Sequence, residues 1–256
     1  MAKKWNEIKT KFKQLPVNIS KEGFLNSPPS SGKFLKIVAT SDTHNNLRKL
    51  VDAGMIPKGD VFLMAGDFSD HGSEESVREF NSILGKLPHK HKIIVAGNHE
   101  FGFDFKENKT IRKDKYKNNG FSNGQKLLTN AVYLEGSGTI ISGVKFWGAP
   151  WHPLKSFPFY TPRSEMAANW AKIPKGTDVV ITHAPPLGHL DLYPPIERWG
   201  DLALLQKITD LHPSFHIFGH NHYSYGTLSN GKTIFANGTQ PGSFNPPMVF
   251  FMPIHK

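Results

Sequence analysis

No cysteine occurs anywhere in the 256-residue chain. That absence removes disulfide bonds, thiolate metal ligands and a cysteine nucleophile in one step. Any transition metal held here must be bound by imidazole, carboxylate or amide oxygen, and thirteen histidines supply the first of these. Long apolar runs are missing too: no stretch approaches the roughly 20 residues that a membrane span requires. The Lys-rich start, Met1 to Leu15, has neither an apolar core nor a small-residue cleavage site after it, so it does not read as a secretory leader. The expected location is therefore cytoplasmic. No internal repeat is present. Hydrophobic residues at 38% and charged residues at 20% fit a globular domain with a sizeable core rather than a disordered chain.

A net charge of +10 suggests a nucleic-acid partner until it is located along the chain. Residues 1–36 carry eight Lys and two Glu, and residues 106–117 carry six basic residues against Glu107 and Asp114. These segments hold the whole excess, because the remainder has 17 basic and 17 acidic residues. A neutral body with two basic appendages is not a basic groove, so no specific nucleic-acid partner is expected. The appendages read as solvated loops or as a steering field for anionic substrates. The oligomeric state carries no signal in the sequence.

Residues 1–35 read as a flexible or peripheral basic tail ending in Asn26-Ser27-Pro28-Pro29-Ser30-Ser31-Gly32, and residues 36–256 as one domain. Short apolar runs at 36–40, 60–65 and 92–96 predict buried strands. A helix near 46–53 separates the first two, and another begins after Ser73, where Val77, Phe80, Ile83 and Leu84 share one face. Such alternation implies a mostly parallel sheet covered by helices. Further strands are expected at 131–134, 139–142, 144–147, 178–182, 215–218, 225–228, 233–236 and 248–252, with helices at 164–173 and 201–211. Asn230-Gly231 marks a hairpin. The fold class is α/β, a sandwich of two mixed β-sheets flanked by helices.

Polar residues recur where the apolar runs stop. The runs end in Asp42-Thr43-His44, Gly66-Asp67-Phe68-Ser69-Asp70, Gly97-Asn98-His99-Glu100, His183 and Gly219-His220-Asn221-His222. In an open α/β sheet the carboxyl ends of the strands share one edge, where ligands bind. Asp42 with His44, and His220 with His222, are two apart, so in extended chain each pair points to one side and can serve one centre. Gly66, Gly97 and Gly219 precede presumed ligands, where glycine permits sharp turning and close backbone approach. Asp-x-His alone arises by chance in about every second chain of this composition, and Gly-Asn-His or Gly-His-x-His in about one in fifteen. Their joint order after apolar strands is the specific signal.

That order resembles the calcineurin-like metallophosphoesterase superfamily, whose pattern runs Asp-x-His, Gly-Asp-x-x-Asp, Gly-Asn-His-Asp/Glu, an isolated His and Gly-His-x-His. Residues 42 to 222 contain all five blocks. Leu127-Leu128-Thr129-Asn130, Gly148-Ala149-Pro150-Trp151, Thr182-His183-Ala184-Pro185-Pro186 and Asn245-Pro246-Pro247 are similar to the animal metallophosphoesterase-domain-containing proteins, relatives of the class III cyclic nucleotide phosphodiesterases. The resemblance implies a binuclear metal-dependent phosphodiesterase acting on small or cyclic nucleotide-type diesters. It places one divalent ion on Asp42, His44 and His222, a second on Asn98, His183 and His220, and Asp67 between them. His99 is then the catalytic acid, with Asn98 and His99 contacting substrate and Asp70 orienting His99 or a ligand. Such a donor set suits Mn, Fe, Zn or Co better than Ca or Mg, and two ions can share a hydroxide while clamping a phosphate. A phosphomonoesterase or nuclease would use the same ligands, and a non-catalytic scaffold retaining the fold is the alternative from another class. Phe68, Trp151 and Tyr193 are candidate stacking surfaces for a nucleobase, and His152 and His189 candidate pocket liners; packing is the ordinary role for each.

Overall fold

Alternating residues of each apolar run face two different cores once the strands are in place. A computed structural model describes residues 15–16, 27–107, 122–240 and 245–254. Residues 1–14 and 17–26 of the basic tail and 108–121 of the second basic segment lie outside the described residues. In chain order the first strands are β1 (Leu15–Pro16), β2 (Phe34–Thr40), β3 (Val61–Ala65), β4 (His91–Val95) and β5 (Val132–Tyr133). They are followed by β6 (Ser137–Ile141), β7 (Val144–Ala149), β8 (Val179–Thr182), β9 (Leu192–Tyr193) and β10 (Glu197–Arg198). β11 (Phe215–Phe218), β12 (Gly226–Ser229), β13 (Ile234–Asn237) and β14 (Met248–Pro253) complete the set among the described residues.

One sheet has the order β14-β2-β3-β4-β5 and the other β1-β12-β13-β11-β8-β7-β6. Ile37 and Ala39 of β2, Leu63 and Ala65 of β3 and Val95 of β4 pack against Phe146, Val179, Ile181 and Ile217 of the second sheet. Val38, Phe62, Met64 and Ile94 point the other way, into a core shared with the helices α1 (Leu47–Asp52) and α2 (Glu74–Lys86). On the far side Val180 and Phe218 meet α3 (Met166–Trp170) and α4 (Leu202–Leu211). The result is the expected sandwich of two mixed sheets with helices outside.

Local chemistry sets the helix ends. Ser73 Oγ accepts the Ser76 N–H at 3.1 Å, Glu74 and Glu75 occupy the first turn, and Leu87, which precedes Pro88, is extended. Asp201 caps α4 by accepting the Leu204 N–H at 2.8 Å and also takes the Trp170 indole N–H at 2.9 Å, fixing α4 against α3. Two features escaped the sequence reading: β1 pairs with β12 although it lies in the tail, and β9 with β10 form a small separate hairpin. The prolines between β9 and β10 read as breakers, and no alternation marks strands so short. No described helix is long and apolar enough to cross a membrane.

For the site, strand direction matters most. β2, β3 and β4 are mutually parallel, as are β7, β8, β11 and β13. Ser41 bridges to Thr239 in parallel sense, and the Ser41 N–H donates to Gly238 O at 2.9 Å, so both sets of carboxyl ends meet at one edge.

Candidate metal centre

Five loops leave that edge and are laced together by backbone. Asp42 N–H donates to Gly66 O, His44 N–H to Asp67 O and Gly219 N–H to His183 O, at 2.9 to 3.0 Å. The seven candidate ligands and His99 arrive in one cluster. His222 Nε2 lies 3.2 Å from both Asp42 Oδ1 and His44 Nε2. His183 Nε2 lies 2.9 Å from Asn98 Oδ1, 3.2 Å from His220 Nδ1 and 3.3 Å from Asp67 Oδ2. Asp67 Oδ2 is also 3.9 Å from His44 Nε2, so this carboxylate stands between the two groups. Donors bound at about 2.1 Å to one ion would themselves be about 3 to 3.5 Å apart, the spacing found here.

The donor chemistry fits cations. His183 Nδ1–H donates to Ala65 O at 3.0 Å, which turns Nε2 toward Asp67, Asn98 and His220. Acceptor atoms therefore face one another where a positive charge belongs. In the metal-free protein a proton answers that demand: burial pulls the His183 pKa down, but the charge of Asp67 and its hydrogen bond outweigh it, raising the value to about 9. Burial, then the His183 and His152 charges, hold His220 well below its ordinary range. Burial opposes ionisation of Asp67, yet its histidine neighbours, His183 foremost, keep it well below the usual carboxylate range.

The backbone differs from the extended geometry anticipated for the two-apart pairs. Asp42, His44, Asp67 and His220 all have positive φ, between 42° and 68°. His220 consequently joins His183, while His222 joins Asp42 and His44. Non-glycine residues in this region carry strain that surrounding contacts must hold, and such strain concentrates at functional sites. Close approach explains two of the glycines: a Cβ on Gly219 would overlap the Asp42 carboxylate, and one on Gly97 the Asp67 carboxylate.

Glu100 was legible only as the last letter of a motif. Buried beneath the site, its carboxylate accepts the N–H groups of Asp67 (2.9 Å), Gly97 (2.6 Å) and Ser69 (3.0 Å) and the Ser69 hydroxyl (2.9 Å). Burial and the Asp67 charge push its pKa up to about 7 against the Ser69 and Gly97 hydrogen bonds. It pins the loops after β3 and β4 to each other. Truncating it would leave the donors unpaired in a dry site, each at a cost of about 1–3 kcal/mol. Glu100→Ala is therefore expected to lower unfolding free energy by about 3 kcal/mol or more, read by urea denaturation of the metal-free protein. A change below 1 kcal/mol (about the value of an exposed contact) would contradict this bracing role.

His99 sits beside both groups, its ring 4.7 Å from that of His44. Its Nδ1–H donates to the Asp70 carbonyl and its backbone N–H to Asp67 Oδ1 at 2.9 Å, leaving Nε2 as the working atom. The Asp70 carboxylate lies 3.5 Å from His44 Nδ1, so Asp70 touches both residues proposed for it. A cleft opens over Asp67, Asn98, His99, His220 and His222, walled by Leu154, Phe157, Tyr193, Trp199 and Tyr223. Of the three aromatics named from sequence, Tyr193 lines this cleft; Phe68 stacks on Phe80 in the core and Trp151 packs between Trp147 and Trp170. His189 is buried against Phe235. His152 stacks beside His220 with its Nε2–H donating to Pro158 O; burial, then the His183 charge, push its pKa down to about 3. It holds the loop carrying Phe157 rather than facing the cleft. Phe157, Trp199 and Tyr223 were missed because no motif or periodicity sets them apart from ordinary loop aromatics.

The family model for calcineurin-like phosphoesterase matches residues 35–224. The chain is 44% identical to UPF0046 protein K07C11.7 of Caenorhabditis elegans, over 97% of this chain and 86% of that protein. It is 36% identical to metallophosphoesterase domain-containing protein 1 of Homo sapiens, over 88% and 73% respectively. In fold it resembles the phosphopantetheinyl hydrolase PptH of Mycobacterium tuberculosis, with a TM-score of 0.54 at 15% identity over 84% of this chain and 95% of that one. A chain with these blocks in this order, on strand ends that bring their donors together, belongs to the calcineurin-like phosphoesterase family, whose members hydrolyse phosphate esters with divalent metal ions.

Proposed function

We propose that this metal-dependent phosphoesterase is a phosphodiesterase acting on small or cyclic nucleotide-type diesters at a two-metal centre. The observation that carries the reading is the position of Asp67, within 4 Å of a donor from each of two acceptor-rich groups, at the floor of an open cleft. In this reading Asp42, His44 and His222 hold one ion, Asn98, His183 and His220 hold the other, and Asp67 serves both. The donor set favours Mn, Fe, Zn or Co. When bound, such a pair neutralises phosphate charge and acidifies a water molecule.

The remaining work falls to the chain. Asn98 and His99 meet the phosphate at the cleft floor, and burial of Asp42, Asp67 and His183 excludes bulk water from beneath it. His99, anchored through Nδ1–H to the Asp70 carbonyl, presents a protonated Nε2 to the leaving oxygen; as a water oxygen bonds to phosphorus and the ester P–O bond breaks, that proton passes to the departing oxygen. His183, fixed by Ala65 O, keeps Nε2 aimed inward. The complete donor set disfavours a non-catalytic scaffold, a role that would not maintain strained acceptors facing one another.

The test is hydrolysis of bis(p-nitrophenyl) phosphate against p-nitrophenyl phosphate, with Mn, Fe or Zn and with chelator. Diester cleavage that chelator abolishes, and that exceeds monoester cleavage, is the expected result. Full turnover in chelator would sink the mechanism, and faster monoester turnover would replace diesterase with monoesterase.

A further inference from the structure

The cleft over the candidate centre encloses about 290 Å³ and is walled by rings rather than by charge. Tyr193, at the end of β9, and Trp199, the residue after β10, stack at 4.3 Å and 8°. Tyr223, placed just after the Gly-His-x-His block, meets Tyr193 edge-on at 4.9 Å. Trp199 reaches the floor, 5.4 Å from the His220 ring. Phe157, which also lines the cleft, lies 5.8 Å from the His99 ring. The aromatic walls therefore touch both ends of the chemistry, the proton-donor side and the ligand side.

Among the described residues no Lys or Arg lines this cleft. Arg198, next to Trp199, is turned to Asp191 instead. A polyphosphate or second phosphate in the cleft would find no Lys or Arg countercharge among the described residues that line it, whereas the single charge of a diester is met at its floor. Tyr223 is 63% exposed, so its ring is open to a ligand at the cleft rim. The volume is ample: a dry cavity of about 150 Å³ already takes a benzene ring.

From these observations the geometry points to a subsite for a flat, uncharged aromatic ester group, held between Phe157 and the Tyr193–Trp199–Tyr223 wall. This inference rests on the phosphodiesterase reading and specifies which diesters that site takes: monoanions bearing an aryl or heteroaryl ring. Phe157 and Trp199 are the specificity-determining residues, because each joins the wall to a residue at the cleft floor.

Two monoanions with no ester bond to cleave, differing in one group, provide the test: methyl(phenyl)phosphinate and dimethylphosphinate. Each is titrated calorimetrically into full-length protein loaded with manganese, so that binding is read without turnover. The phenyl compound is expected to bind about tenfold more tightly, the return from one ring laid on aromatic side chains. That ratio should fall to about twofold in Phe157→Ala and in Trp199→Leu, the second substitution keeping hairpin packing. Ile196→Ala, at the exposed hairpin turn, serves as the control and should keep the tenfold ratio. Equal binding of the two compounds, or a ratio that survives both substitutions, would overturn the subsite and leave the phosphodiesterase reading standing. Failure of both compounds to bind would overturn the two together.

Discussion

Asp67→Ala is expected to lower kcat/KM for a diester by at least about four orders of magnitude, since it removes the one carboxylate shared by both donor groups. Asp67 Oδ2 lies 3.3 Å from His183 Nε2 and 3.9 Å from His44 Nε2, while Oδ1 accepts the His99 N–H at 2.9 Å. One substitution is therefore expected to weaken both proposed ion sites and to loosen the loop that carries His99. Two readouts separate these effects. Metal content per chain should fall below one-half that of the wild-type protein, and Asp67→Asn, which keeps size and can still accept from His99, should be nearly as impaired because charge rather than shape is lost. Retention of more than a tenth of wild-type turnover at full metal content would remove Asp67 from the centre of the mechanism.

His99→Ala should produce the second-largest loss, and its size should depend on the leaving group. A positioned acid contributes about 10²–10⁴-fold when the departing oxygen needs a proton. An alkoxide needs one; p-nitrophenolate leaves as a stable anion. The variant is therefore expected to lose about a thousandfold on an alkyl leaving group and about tenfold or less on p-nitrophenolate. Metal content should stay at the wild-type level, as His99 is not among the proposed ligands. Equal losses on both leaving groups would assign His99 to binding the phosphate rather than to proton delivery. Loss of bound metal would make it a ligand, a role its proximity to His44 and Asp67 allows.

Much of the site was legible because its residues follow apolar strands, and strand ends are where an α/β sheet gathers function. Asp42, Asp67, Asn98, His183 and His220 are each preceded by runs whose burial the structure bears out. Glu100 could be seen but not understood. Its value lies in four donors from residues 67, 69 and 97, and a sequence does not state which backbone groups will converge on a carboxylate. The reason offered for the two-apart pairs was incomplete for a similar cause: extended backbone was assumed where left-handed turns send His220 and His222 to different groups. The aromatic wall was almost invisible, because Phe157, Trp199 and Tyr223 come from three loops whose only shared property is where they end in space.

Residue order alone determined the α/β alternation and the choice of candidate donor residues, because period and chemical type are local properties written into neighbouring residues. Tertiary structure decided which candidate donors share a group, that Glu100 braces them, that His152 supports a loop instead of facing the cleft, and that, among the described residues, the cleft is lined with rings and not with Lys or Arg. Those outcomes depend on contacts between segments up to 180 residues apart, as between Asp42 and His222. Such contacts form only when two sheets close on a common core and bring their carboxyl edges together.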